Sequence, residues 1–183
     1  MLADNFTVAV IGAGPQGAEL VLLAVRAGFR TVVEDVLPSK LRSLNERLRQ
    51  EMQSVAEGRI VFATSIEEAV READFAMDSV PDELESKLEM FSLLDRMAPP
   101  KTIFCSPLEV VSLSDLASCT YRGDRCVGVQ AESGISFVDD DSIRLIRGKL
   151  SSDETIETAA AVWLRMGKRI EVVTEAAVPG FGG

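Results

Sequence analysis

The sequence predicts an α/β fold: one doubly wound, mostly parallel β-sheet flanked by helices. Three observations carry this. Short runs rich in Val, Ile and Phe alternate with amphipathic helical segments along the chain, the pattern of strands linked by crossover helices. The first run, Val8-Ala9-Val10-Ile11, is apolar without interruption and leads straight into a glycine-rich turn and a helix, as a parallel strand covered on both faces does. The composition, 46% hydrophobic with only 5% aromatic residues, suits a sheet filled by Val, Ile, Leu and Ala.

The turn after the first strand is Gly12-Ala13-Gly14-Pro15-Gln16-Gly17. In this strand–turn–helix context the first glycine makes the tight turn, the second lets backbone approach a pyrophosphate, and the third lets helix pack on strand. Pro15 falls in the first turn of the expected helix, where its missing N–H costs nothing. That helix, 16–27, carries Leu20, Leu22, Leu23 and Val25 and is stopped by Gly28, a C-terminal glycine signal. Its N-terminus aims free N–H groups and the positive end of the helix dipole at the turn, which makes an anion site. Eighteen residues past Gly17, a second strand, Thr31-Val32-Val33-Glu34, ends at Asp35, the spacing at which an acid meets the adenosine ribose hydroxyls of a dinucleotide. These features mark a Rossmann-type nucleotide site. A carboxylate at Asp35 accepts from both hydroxyls and repels a 2′-phosphate, so NAD is favoured over NADP; Glu34 is the adjacent alternative. Lys40 and Arg42, after Pro38 and at helical spacing, read as a solvated helix face rather than phosphate ligands.

The rest of the chain continues the alternation. Residues 38–56 carry Leu41, Leu44, Leu48 and Met52 among charges and form an amphipathic helix stopped near Gly58,. Ile60-Val61-Phe62 is a short strand, and Ser65-Ile66-Glu67-Glu68 a capping box opening a short helix,. The strand 74–80 ends where an open parallel sheet binds ligand. Pro81 breaks it, and the helix 82–97 follows with Leu84, Leu88, Phe91 and Leu94 on its buried face,. Strand 102–105, a short helix 112–118 and strand 126–130 come next. A polar loop with Asp139-Asp140-Asp141 then reads as solvated, with metal binding as the other option,. Strand 143–146, a helix capped by Ser151-Ser152-Asp153-Glu154 and running through Met166, and strand 169–173 complete the set, with Ile156, Ala160, Trp163 and Leu164 facing in,. The division is therefore one dinucleotide-binding domain, 1–173, and a tail or linker, 174–183, with no internal repeat.

At 183 residues the chain suits one sizeable core and not a second full domain,. The net charge of −10, from 29 acids against 19 bases, works against nucleic acid and anionic membrane partners. No run reaches the roughly 18 apolar residues of a membrane helix, and the first strand begins almost at Met1, so a cytoplasmic setting is expected,. Cys105, Cys119 and Cys126 form no C-x-x-C pair and read as small hydrophobes or idle thiols,. The chain contains no histidine.

The stretches VAVIGAGPQG, VVEDV, Ser79-Val80-Pro81-Asp82-Glu83-Leu84-Glu85-Ser86-Lys87, Leu150-Ser151-Ser152-Asp153-Glu154-Thr155 and Val178-Pro179-Gly180-Phe181-Gly182 fall in the order found in 3-hydroxyacyl-CoA dehydrogenases. The chain resembles only the N-terminal NAD-binding domain of that family. The resemblance implies that Gly12, Gly14, Pro15, Gln16 and Gly17 cradle the pyrophosphate and Asp35 the adenosine ribose, with Val80, Asp82 and Lys87 on the cofactor side. A lysine one turn into the helix after a strand end can reach a bound dinucleotide; the other reading of Lys87 is an exposed surface lysine.

The departures fall on the chemistry that the resemblance implies. The family's proton-accepting histidine aligns with Gln130, its paired glutamate with Arg144, and its following asparagine with a position near Ser133. Its substrate loop after the fifth strand becomes Ser106-Pro107-Leu108-Glu109. An amide orients an oxygen but is no general base near neutral pH. The helical arm after the second strand is short, and the family's C-terminal substrate domain is expected to be absent, so the chain reads as a truncated relative. Two functions stay open. One is an oxidoreductase using Glu109 or Glu132 as base, with a separate substrate-domain chain or on a different small substrate. The other is a pseudoenzyme: a non-catalytic NAD-sensing, regulatory or partner-binding module, covering its exposed apolar face as a homodimer or with another chain.

Overall fold

A computed structural model describes residues 2–52, 59–134 and 136–175. Its elements are β1 (Thr7–Ile11), α1 (Pro15–Arg26), β2 (Arg30–Glu34), α2 (Pro38–Glu51), β3 (Ile60–Phe62), α3 (Ile66–Val70), β4 (Phe75–Asp78) and α4 (Leu84–Met97). They continue as β5 (Ile103–Pro107), α5 (Leu113–Ser118), β6 (Cys126–Ala131), β7 (Ser142–Arg147), α6 (Asp153–Arg165) and β8 (Arg169–Thr174), with a 3-10 turn at Gly123–Arg125.

The eight strands form one sheet in the order β3-β2-β1-β4-β5-β6-β7-β8. Every neighbouring pair is parallel except β6 and β7. Strand order reverses between β1 and β4, and the carboxyl ends of those strands form the switch point at which open α/β sheets bind ligands.

The period-2 alternation of the strands sorts the core into two layers. Val8 and Val10 of β1, Met77 of β4, Val127 and Val129 of β6, and Leu145 of β7 pack under α1, α2 and α6, where Trp163 lies against Phe137 with ring centroids 5.4 Å apart. Ala9 and Ile11, Ala76, Phe104, Cys126 and Ile146 face α3, α4 and α5. Each central strand therefore feeds both layers, which is why these runs are apolar throughout.

Helix starts follow local chemistry. The Ser112 and Ser152 hydroxyls accept from the backbone N–H groups of Asp115 and Thr155, as N-caps do. The Ser65 hydroxyl accepts from Glu68 N at 3.2 Å, but the Glu68 carboxylate reaches one residue further back than a capping box requires, taking the N–H and hydroxyl of Thr64. Four expectations change. Leu84, expected on the buried face of its helix, opens α4 and is 47% exposed. The second helix ends at Glu51, and its expected continuation over 53–56 lies outside the described residues. Leu164, expected to face in, is 60% exposed, because Trp163 and Ile156 fill that layer. Thr174 closes β8 rather than opening the tail, and Glu175 beyond it anchors on α5, accepting from Ser112 Oγ and Ser114 N. Residues 176–183 lie outside the described residues. Among the described residues no helix is long and apolar enough to cross a membrane.

Candidate dinucleotide site

The site begins at the carboxyl end of β1. Gly12 adopts φ +100°, a conformation that L side chains rarely adopt, and a Cβ there would lie 2.9 Å from the Ser79 carbonyl oxygen at the end of β4,. A Cβ on Gly17 would stand 1.9 Å from the Gly12 carbonyl oxygen, so α1 crosses the turn as closely as backbone allows. Gly14 differs from both. Its φ of −66° suits any residue, and a Cβ there would meet nothing within 4 Å. Nothing among the described residues requires that glycine, and the open space beside it is what a pyrophosphate would fill. Pro15 opens α1, and the first turn holds no acid and no side-chain cap. The leading N–H groups of α1 are thus left for an anion. The turn fits a dinucleotide.

Asp35 follows β2 and turns its carboxylate onto this loop. Oδ2 accepts from Ala13 N and Oδ1 from Leu37 N, both at 2.8 Å, and Lys40 Nζ lies 3.4 Å from Oδ2. Asp35 therefore braces the glycine turn at the carboxyl end of β2. Glu34, the adjacent alternative, is buried in the sheet; burial, reinforced by the Asp35 charge, pushes its carboxyl above the usual range,. Lys40 is not simply a solvated helix face: it joins Ser39, Ser43 and Arg47 in lining a pocket beside Gly14 and Pro15.

Lys87 is neither exposed nor stretched outward. It is 1% exposed, and Nζ donates to Asp78 Oδ1 at 2.9 Å and Ser106 Oγ at 2.8 Å, a buried ion pair under the ends of β4 and β5. Asp82 lies 3.9 Å from the same ammonium through Oδ1, while its Oδ2 accepts from Glu109 N at 2.9 Å and Val110 N at 2.7 Å. Asp82 thus clamps the loop after β5. Val80 is half-buried against the α3–α5 layer. The sequence reading missed Asp78 and the part played by Ser106. A strand-end acid followed nine residues later by a lysine on the next helix is the signal that points to them.

The structure unites some candidates from the far half of the sheet and separates others. Gln16, Glu109, Gln130 and Gly134 line one small crevice beside the turn. Gln130 and Arg144 are direct cross-strand partners on β6 and β7, and Arg144 is in turn opposite Glu171 on β8, with Nε 3.5 Å from its carboxylate. Ser133 is drawn aside: its N–H and hydroxyl both donate to Asp140 Oδ2, at 2.7 and 2.8 Å. Glu132 accepts from Ser142 Oγ across the same loop. Only Glu109 of the two candidate bases therefore lines the crevice. The acidic run 139–141 curls around an ammonium of this chain, Lys168, whose Nζ donates to the carbonyls of Val138 and Asp140. Burial holds that lysine below its ordinary range against the pull of Asp141, Asp140 and Asp139. Cys105 and Cys126 are buried, and desolvation pushes both thiols up, Cys126 to about 12.

Comparison with known proteins agrees with this geometry. The family model for "3-hydroxyacyl-CoA dehydrogenase, NAD binding domain" matches residues 7–176. The chain is 29% identical to the "Probable 3-hydroxybutyryl-CoA dehydrogenase" of Bacillus subtilis over 95% of its own length and 63% of that protein. It is 29% identical to the L-carnitine dehydrogenase of a Pseudomonas species over 96% of its length and 56% of that protein. The chain thus spans about three-fifths of the curated relatives it matches. In fold it is similar to 3-hydroxybutyryl-CoA dehydrogenase of Escherichia coli, with a TM-score of 0.82 at 22% identity, covering 96% of this chain and 39% of that one. It is also similar to (S)-3-hydroxybutyryl-CoA dehydrogenase of Ralstonia eutropha, with a TM-score of 0.79 at 23% identity, covering 97% of this chain and 65% of that one.

Proposed function

This chain belongs to the family of 3-hydroxyacyl-CoA dehydrogenase NAD-binding domains, and from that premise we propose that it binds NAD as a sensing, regulatory or partner-binding module without the family's dehydrogenation chemistry. One observation carries the proposal: the cross-strand pair at the positions where the resemblance expects a histidine and its orienting acid is Gln130 and Arg144. NAD, when bound, supplies a hydride acceptor at its nicotinamide ring. Oxidising an alcohol also needs a group that takes the hydroxyl proton. The Gln130 amide does not do this near neutral pH, and the Arg144 guanidinium carries a fixed positive charge. The remaining residues bind and orient. In this reading Gly14 and the start of α1 take the pyrophosphate, Asp35 the adenosine ribose, and Gln16 and Gln130, which line the same crevice, offer amides to an oxygen there.

A second reading follows from Glu109, which shares that crevice and whose backbone Asp82 holds in place. In that reading Glu109 accepts the proton, with a separate substrate-domain chain or a second copy closing the cleft. Calorimetric titration with NAD and NADH, followed by NADH oxidation with a 3-ketoacyl-CoA, separates the two. Binding without turnover is the expected result. Turnover that falls about a hundredfold or more in Glu109→Gln, the scale of losing a general base, establishes the second reading. No binding of either dinucleotide overturns both.

A further inference from the structure

Between the starts of α1 and α2 opens a pocket of about 290 Å³, walled by Gly14 and Pro15 on one side and by Ser39, Lys40, Ser43 and Arg47 on the other. It lies beside Asp35, the residue that stands at the adenosine ribose. A free carboxylate there rejects a 2′-phosphate by charge. This carboxylate is not free: two backbone N–H groups donate to it, one to each oxygen, and the Lys40 ammonium is 3.4 Å from Oδ2. The charge around it is also unlike that of the rest of the chain. α2 carries Lys40, Arg42, Arg47 and Arg49 against Glu46 and Glu51, a net of +2 on a chain whose total is −10. No other helix among the described residues has a positive net charge.

We propose that the site accepts NADP as well as NAD, with the 2′-phosphate lying in this pocket; this rests on the dinucleotide reading of the preceding subsection. Four side chains on the α2 wall of the pocket suit the group, beside an apolar wall of Ala13, Pro15, Ala18 and Leu44. A phosphate monoester presents about two negative charges and three acceptor oxygens. Lys40 meets it as a point charge, Ser39 and Ser43 as hydroxyl donors, and Arg47, steadied by Glu51 one turn on, as a planar fork. Lys40 acts twice, attracting the phosphate and offsetting the carboxylate that would repel it, and so becomes the residue that sets cofactor choice.

The test is calorimetric titration of NAD and NADP, in a phosphate-free buffer of low ionic strength, against the parent chain, Lys40→Ala and Arg49→Ala. Lys40 is half exposed, so its removal leaves the core untouched. Arg49 is on the same helix, exposed and outside the pocket. The expected result has NADP within about tenfold of NAD in the parent, and a further loss of about tenfold or more for NADP relative to NAD in Lys40→Ala, the scale of one charge-assisted contact. Arg49→Ala holds the parent ratio. NADP weaker than NAD by more than about tenfold in the parent overturns the inference and leaves NAD binding standing. So does a Lys40→Ala variant that keeps the parent ratio. An Arg49→Ala loss equal to that of Lys40→Ala assigns the effect to the diffuse field of α2 and overturns the pocket. Binding of neither dinucleotide removes this inference and the reading beneath it together.

Discussion

At the scale of single residues, two glycines of one turn separate stability from binding. Gly17→Ala drives a Cβ against the Gly12 carbonyl, and overpacking against backbone costs about 1–3 kcal/mol or more. Gly14→Ala meets open space at an ordinary φ, so its stability stays within about 0.5 kcal/mol of the parent while its NAD affinity falls. Thermal melts with and without NAD check both halves: Gly17→Ala melts early in either case, and Gly14→Ala loses only the ligand-induced rise. Glu34 gives a prediction in pH. Burial and Asp35 raise its carboxyl above the ordinary value of 4.5, so the folded state holds this proton more tightly than the unfolded chain. The stability linked to it is fully present below pH 4.5 and is lost as pH rises through the raised value. Glu34→Gln keeps the neutral form at every pH. Its Tm should exceed the parent's at neutral pH, with the gap closing on acidification; a Tm below the parent's at pH 7 contradicts the buried-charge account.

At the scale of elements, the Lys87–Asp78–Ser106 cluster joins α4 to the ends of β4 and β5. Both charged partners are almost wholly buried, at 1% and 0% side-chain exposure, and Asp78 Oδ2 has no hydrogen-bond partner among the described residues. Breaking such a pair from one side strands a buried charge and costs about 3–5 kcal/mol. Lys87→Met should lose that much in urea denaturation, and Lys87→Met with Asp78→Leu should recover most of it; a double variant as unstable as the sum of the two single ones removes the coupling. This cluster also marks the limit of what the chain discloses in one dimension. The strands, the glycine turn and the Ser152 cap depend on neighbours within about four residues, and these are legible in the sequence. Lys87 sits in a helix otherwise rich in charge, and only the return of β5 beside β4 turns it inward. The same holds for Asp35, whose bond to Ala13 N joins residues 22 apart. For Ser133 a loop carries Asp140 back onto it. Gln130 and Arg144 were paired by resemblance, and the antiparallel turn of β7 against β6 supplies the physical reason.

At the scale of the whole molecule, the absence of histidine from the sequence sets how the protein answers to pH. Histidine is the side chain whose ordinary pKa lies between about 5 and 8. The buried thiols are pushed away from that range, Cys126 to about 12. The net charge of −10 and the cationic face of α2 should therefore persist almost unchanged from about pH 6.5 to 8. A dinucleotide bound by backbone N–H groups and fixed charges then has no proton to exchange. NAD affinity measured by calorimetry across this range should vary by less than about twofold, and the heat of binding should not depend on the ionisation enthalpy of the buffer. One proton linked to binding would instead change affinity by up to tenfold per pH unit, since each pKa unit is worth about 1.4 kcal/mol. A slope of that size would mean that a proton is taken up or released with the dinucleotide, and Glu109 shares the crevice with Gln130. Loss of that slope in Glu109→Gln would then identify the proton acceptor and favour an enzyme over a binding module.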